Sequence, residues 1–273
     1  MAIPKIIHYL WLSPEKTPAV KVCLKSWKNH FKGYEIKEWN RSNFPYEDFV
    51  WTKEAVSRRK WAFVTDFFRL WVLNKYGGIY LDADVTATKN FDAFLNCDMF
   101  IGTECNDQIA AHAIGAIKGH PFIGACLDYY KDRHFILPNG SNDMRPMPNI
   151  ITKIFMQMYR YKGALVTFDG MPLKFKDLVI YPDTYFTINT YDGNNVCYHN
   201  GLGSWRDNDA DNPILEDVIN NYFWYKFNCF TIDRKFKGIK KIIYLLMPVW
   251  LIRFIMKRKI MLKNNIRVRT VKI

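Results

Sequence analysis

The run from Lys53 to Val85 constrains the fold more than any other part of the chain. "KEAVSRRKWAFVTDFFRLWVLNKYGG" offers Ala55, Ala62, Phe63, Leu70 and Leu73 for one buried face. It predicts a helix over 53–78 with a glycine stop at Gly77-Gly78. "IYLDADV" (79–85) follows at once and reads as a short buried strand ending in two aspartates. The same alternation holds on either side. "KIIHYLWL" (5–12) predicts a first buried strand, and "PAVKVCLKSWKNHF" (18–31) a helix with Val22, Trp27 and Phe31 at helical intervals. "YEIKEWN" (34–40) predicts a second strand anchored by Tyr34, Ile36 and Trp39, and "MFIGTE" (99–104) another. This rhythm predicts an α/β domain with a mainly parallel central sheet flanked by helices. Ligands of such sheets bind beyond the carboxyl ends of the strands, where Asp82 and Asp84 fall.

Carboxylates beside a core cost free energy unless something cationic meets them. On an extended backbone, residues i and i+2 point to one side, so Asp82 and Asp84 are expected to aim at one spot. Two acids so aimed suit a hard divalent cation, which in turn binds phosphates. Asp66 and Arg69, at i and i+3 on the preceding helix, share a face. An arginine facing a diphosphate and an aspartate facing a sugar hydroxyl are natural uses of that pair, and a helix ion pair is the bland one.

Charge divides the chain. Of 273 residues, the stretch Arg234 to Ile273 holds thirteen Lys or Arg and no acid, whereas the preceding 233 residues carry 26 bases and 26 acids. The basicity belongs to a tail, giving a neutral globular body over 1–233 and a basic apolar appendage over 234–273. Ile242 to Ile252 is apolar throughout. A helix of that length covers only ~16 Å, against a hydrocarbon core of ~30 Å, so the tail is expected to lie on an anionic membrane surface. The start, "MAIPKIIHYLW", has no charged segment followed by a long apolar run, and no signal peptide is expected there. The expected location is peripheral, on the cytoplasmic side of the membrane. Six scattered cysteines form no CxxC pair and read as reduced packed residues.

Three segments together, "IPKIIHYLWL", "WAFVTDFFRLWVLNKYGGIYLDADV" and "CYHNGLGSW", resemble glycosyltransferase family 32, over roughly residues 3 to 205. That family carries a DXD motif in its sugar-binding region and includes initiating mannosyltransferases and capsular polysaccharide enzymes. The resemblance implies a GT-A-type fold binding a nucleotide-sugar (UDP- or GDP-sugar) with Mn2+ or Mg2+. It also implies hexosyl transfer, with retention at the anomeric carbon, to a glycan or lipid-linked acceptor in cell-surface polysaccharide synthesis. Carried over by residue, Trp11 matches an aromatic that stacks on the base; a core tryptophan is the alternative. Asp66 and Arg69 match contacts to the donor sugar and diphosphate. Asp82 matches an acid touching ribose or sugar, and Asp84 the direct metal ligand. Ser204 and Trp205 match a segment returning to the metal and diphosphate. The family often has two adjacent histidines where this chain has His199 then Asn200, which leaves open which of them faces the metal. His199 is favoured, because neutral imidazole is the better transition-metal ligand. Asp82, Asp84 and Arg69 are therefore the expected catalytic set, with no general base assigned. Glu104, at a strand end, is either a substrate contact or a solvated loop acid.

Other readings fare less well. "YLDADVTAT" also resembles the first motif of haloacid-dehalogenase-type phosphatases, but the chain lacks their later GDxxxD. "DNDADN" (207–212) imitates a calcium loop but has Asn212 and Val218 where glycine and glutamate are needed. A nucleic-acid-binding module driven by the tail fits poorly with a neutral body, so no nucleic acid partner is expected.

Overall fold

A computed structural model describes residues 2–104, 107–165, 170–190 and 194–201. Ser204, Trp205 and the whole of 234–273 lie outside the described residues. The strands are β1 (Ile6–Leu10), β2 (Glu35–Trp39), β3 (Gly78–Leu81), β4 (Val85–Ala87), β5 (Met99–Thr103), β6 (Ile109–Ala116), β7 (Leu173–Lys174), β8 (Val179–Tyr181) and β9 (Cys197–His199). The helices are α1 (Pro18–His30), α2 (Val50–Ser57), α3 (Trp61–Tyr76), α4 (Pro121–Asp128), α5 (Met147–Met158) and α6 (Asp183–Phe186). Seven strands form one sheet in the order β2-β1-β3-β6-β5-β8-β7, and β4 pairs with β9 in a separate ribbon. Strands β2, β1, β3, β5 and β8 run one way, while β6 and β7 run against them. The expected α/β class, with a mostly parallel sheet between helices, is what forms.

Two apolar layers sandwich the sheet. Tyr80, Ile101 and Ile114 point to one side, into a core with Phe63, Phe68, Phe122 and Ile151 from α3, α4 and α5. Ile79, Leu81 and Phe100 point to the other, against Trp27 of α1, Phe186 of α6 and Val85. Helix α1 starts where Thr17 accepts a hydrogen bond from the Val20 N–H, with Pro18 pre-set at the first helical position. Its buried face is Ala19, Val20, Cys23 and Trp27, not the expected Val22, which is exposed.

Two further expectations are corrected. The helix over 53–78 is two helices, because Arg59 adopts a left-handed backbone (φ 55°) and breaks the chain between Ser57 and Trp61. The strand over 79–85 stops at Leu81, and the next three residues are a turn leading into β4 of the second sheet. The double glycine is required by close packing as well as by φ. A Cβ on Gly77 (φ +69°) would meet the Lys118 N at 2.6 Å, and one on Gly78 (φ +101°) the Ile6 O at 2.7 Å. Helix α3 can therefore turn directly into the central strand β3, which carries Asp82 to the carboxyl edge. Because β6 runs in reverse, its first half reaches that same edge. Among the described residues no helix is long and apolar enough to cross a membrane.

Candidate active site

The two aspartates meet through a turn and not through strand alternation. The Val85 N–H donates to the Asp82 carbonyl at 3.0 Å, folding Asp82 and Asp84 to one side as the chain changes sheets. Strand β9 pairs antiparallel with β4, opposing His199 to Val85, so a residue 114 positions further on arrives beside the turn. One ligand atom each from Asp82, Asp84 and His199 lies within 4.8 Å of the others, and all three side chains are half-buried. His199 Nε2 is 3.2 Å from Asp84 Oδ1 and 3.9 Å from Asp82 Oδ2. Burial alone would lower the His199 pKa, but the charge of Asp84 and its hydrogen bond, with Asp82 and Glu104, push it up to about 9. Asn200 takes a different part. Its Nδ2 donates to the Asp84 carbonyl at 2.6 Å and to Thr86 Oγ1 at 2.9 Å, pinning the turn from behind. His199 is the member of this pair that faces the carboxylates.

Behind the turn lies a buried brace. Arg69 is 5% exposed, and each of its three nitrogens donates to a protein acceptor: Nη2 to Asp66 Oδ1 at 2.8 Å, Nη1 to the Ala111 carbonyl at 2.6 Å, Nε to the Thr65 carbonyl at 3.3 Å. Its Nη2 also stands 3.4 Å from Asp82 Oδ1, which accepts a hydrogen bond from the Tyr80 hydroxyl. One oxygen of Asp82 is thus fixed inward while the other faces His199. The guanidinium sits 4.8 Å from the centre of the Tyr80 ring. Burial would weaken its charge, but Asp82, Tyr80 and Asp66 raise its pKa above the ordinary arginine value. Burial lifts the Asp66 carboxyl to about 6, against the pull of Arg69 and with a further push from Asp82.

Residues 17–104 match the family described as glycosyltransferase sugar-binding region containing DXD motif. This chain resembles that family over those residues. It is 32% identical over 130 residues to inositol phosphoceramide mannosyltransferase 3 of Schizosaccharomyces pombe, covering 45% of this chain and 35% of that protein. It is 20% identical over 259 residues to mannosyl phosphorylinositol ceramide synthase SUR1 of Saccharomyces cerevisiae, covering 88% of this chain and 65% of that one. The chain thus spans between about a third and two-thirds of the length of these relatives. Among solved structures, PaToxG Glycosyltransferase is similar with a TM-score of 0.44 and 18% identity, over 58% of this chain and 70% of that one.

Trp11, which precedes the matched region, leaves the end of β1 at the same sheet edge as Asp82. It is half-buried, and its Nε1 donates to the Glu15 carbonyl at 3.2 Å, so part of the indole is open. It is not a fully enclosed core tryptophan. Two further residues at this edge were not marked by sequence as a pair. His112 of β6 stacks flat on His199, with ring centres 4.5 Å apart and planes 11° apart, and Glu104 stands 3.8 Å from His112 Nδ1. Burial would raise the Glu104 pKa, but His112 and His199 hold it below the usual glutamate range. A histidine in the apolar run "IAAHAIGA" offered no sequence signal beyond its isolation.

Two carboxylates and one imidazole form a mixed oxygen and nitrogen donor set. They fit a divalent ion.

Proposed function

We propose that the chain is a metal-dependent, retaining hexosyltransferase acting on a nucleotide-sugar donor. The observation that carries this reading is the convergence of Asp82, Asp84 and His199 on one spot, backed by the Asp66–Arg69 brace. Asp84 and His199 would hold the ion, and Asp82, through the oxygen that faces His199, would hold the ion or a hydroxyl of ribose or sugar. A divalent ion bound there supplies positive charge where negative charge grows on the departing diphosphate. Arg69 contributes in the same sense. Its guanidinium, desolvated and held by Asp66 and Ala111, offsets the mutual repulsion of the carboxylates and adds a fixed positive field behind the leaving group. Trp11 offers its open face to the base. No side chain is assigned as general base.

The relatives' names make a mannosyl donor the first to test and a lipid-linked or glycan acceptor the first class of acceptor. A panel of UDP- and GDP-sugars, scored for nucleotide release with Mn2+, with Mg2+ and in chelator, tests the reading. Metal-dependent release from one donor is expected; release unaffected by chelator for every active donor would contradict it.

The boundary near residue 233 and the role of residues 234–273 belong to the same proposal. Thirteen bases and an apolar wedge with Trp250 and Phe254 favour a peripheral position on an anionic, cytoplasm-facing leaflet, at up to ~1 kcal/mol per base. Removing the tail should release the protein from anionic vesicles and leave turnover on a short soluble acceptor intact. Loss of folding on truncation would instead make the tail part of the body.

A further inference from the structure

The reversed strand β6 contributes more to the site than its side chains suggest. At residue 111 its carbonyl accepts from Arg69, and at residue 112 its carbonyl accepts from the Asp82 N–H at 2.9 Å. Two consecutive residues thus tie the arginine brace and the DXD turn to one rigid strand. The His112 side chain extends the tie to a third element. Its ring is 2% exposed, and Nε2 is 3.2 Å from the Phe186 carbonyl, a partner that can only accept, so Nε2 carries the proton. The ring cannot turn over without breaking that bond. Its buried Nδ1 lies 3.8 Å from the Glu104 carboxylate. The flat face of the ring lies against His199.

We propose that His112 is a positioning residue. Its anchored ring is the platform that fixes the plane of the His199 imidazole, so that His199 Nε2 meets an ion bound by Asp84 and Asp82. Among the described residues, β9, which carries His199, pairs only with three-residue β4, so a flat ring packed on the imidazole adds support that the short ribbon does not. Residues that orient a ligand in this way typically change metal affinity 10- to 100-fold when altered. The inference rests on the metal reading of the site given above.

The test is Mn2+ binding to the full chain, read by the loss of free-ion electron paramagnetic resonance signal, with Mn2+ alone as probe. His112→Phe keeps a flat ring of similar size; His112→Leu fills similar space without a flat face. The Phe variant is expected within about threefold of the parent and the Leu variant at least about tenfold weaker. The absorption of bound Co2+ should likewise shift in the Leu variant only, reporting altered ligand geometry. Equal affinity in the two variants, whether both unchanged or both weak, would overturn the platform. His199→Ala separates this from the reading beneath it. If that variant binds Mn2+ as the parent does, His199 is no ligand and the metal reading fails. If it binds weakly while His112→Leu is unchanged, only the platform fails.

Discussion

The two ends of strand β3 use the same kinds of residue to opposite effect. At its start, His8 of β1 approaches the Gly77 carbonyl through Nε2 at 3.0 Å and accepts from the Trp39 indole through Nδ1 at 3.2 Å. Both ring nitrogens are matched to neutral groups. Burial outweighs the Gly77 hydrogen bond and, helped by the charge of Lys37, brings its pKa down to about 4. At the far end, His199 meets two carboxylates and its pKa rises to about 9. One end closes its polar groups on neutral partners, and the other gathers carboxylates and an imidazole. That difference separates a histidine matched to neutral groups from one held against two carboxylates. Asn200, one residue on, belongs with the first kind.

The largest effect expected at the charged end follows Asp84→Asn. Mn2+-dependent nucleotide release should fall by about a thousandfold, the several kcal/mol that a bound ion supplies to a developing charge. The thermal midpoint should fall far less than the rate, because Asn200 still holds the turn through the Asp84 carbonyl when the Asp84–His199 ion pair is lost. A melt shifted as far as the rate would place Asp84 with the structural residues.

Arg69→Ala should lower both the rate and the stability. It leaves Asp66 buried without its partner, which typically costs about 3–5 kcal/mol of stability. Denaturant unfolding would register this, and an unchanged midpoint would show that the brace is not structural.

The closed end should appear in the pH dependence of stability. The folded His8 pKa lies near 4 and the unfolded value near 6.5, so the unfolded state binds the extra proton between them. The contribution is complete above pH 6.5 and declines as the pH falls towards 4, by roughly 3 kcal/mol in all. His8→Gln should flatten that part of the profile, measured as unfolding midpoints against the parent. An identical slope in both proteins would remove His8 from the account.

Trp11→Ala should have the smallest effect, about 1–3 kcal/mol in nucleotide affinity with little change in melting. A well-folded variant with undiminished affinity would mean the open indole face meets no base.

How much of this was legible in the sequence depends on how far apart the partners lie. Asp66, Arg69, Asp82 and Asp84 fall within nineteen residues of helix, glycine stop and strand, so their juxtaposition followed from local pattern. The break at Arg59 did not, because the apolar spacing runs on across it. Nor did the turn between Leu81 and Val85, since three residues of "DAD" carry no glycine or proline to announce it. His199 was placed only through resemblance, because nothing local links it to a turn over a hundred residues earlier. The reversal of β6 is a property of the sheet order, and with it the arrival of Ala111 and His112 at the site. A run such as "IAAHAIGA" is equally compatible with either strand direction.

The central claim is that the charged end of β3 is an ion site coupled to a diphosphate. Titrating the protein with Mn2+ in the absence and presence of UDP or GDP tests it directly. The account predicts one bound ion, tighter with the matching nucleotide than without it, and neither binding nor coupling in Asp84→Asn. Equal Mn2+ binding by the parent and that variant, or binding indifferent to both nucleotides, would contradict it.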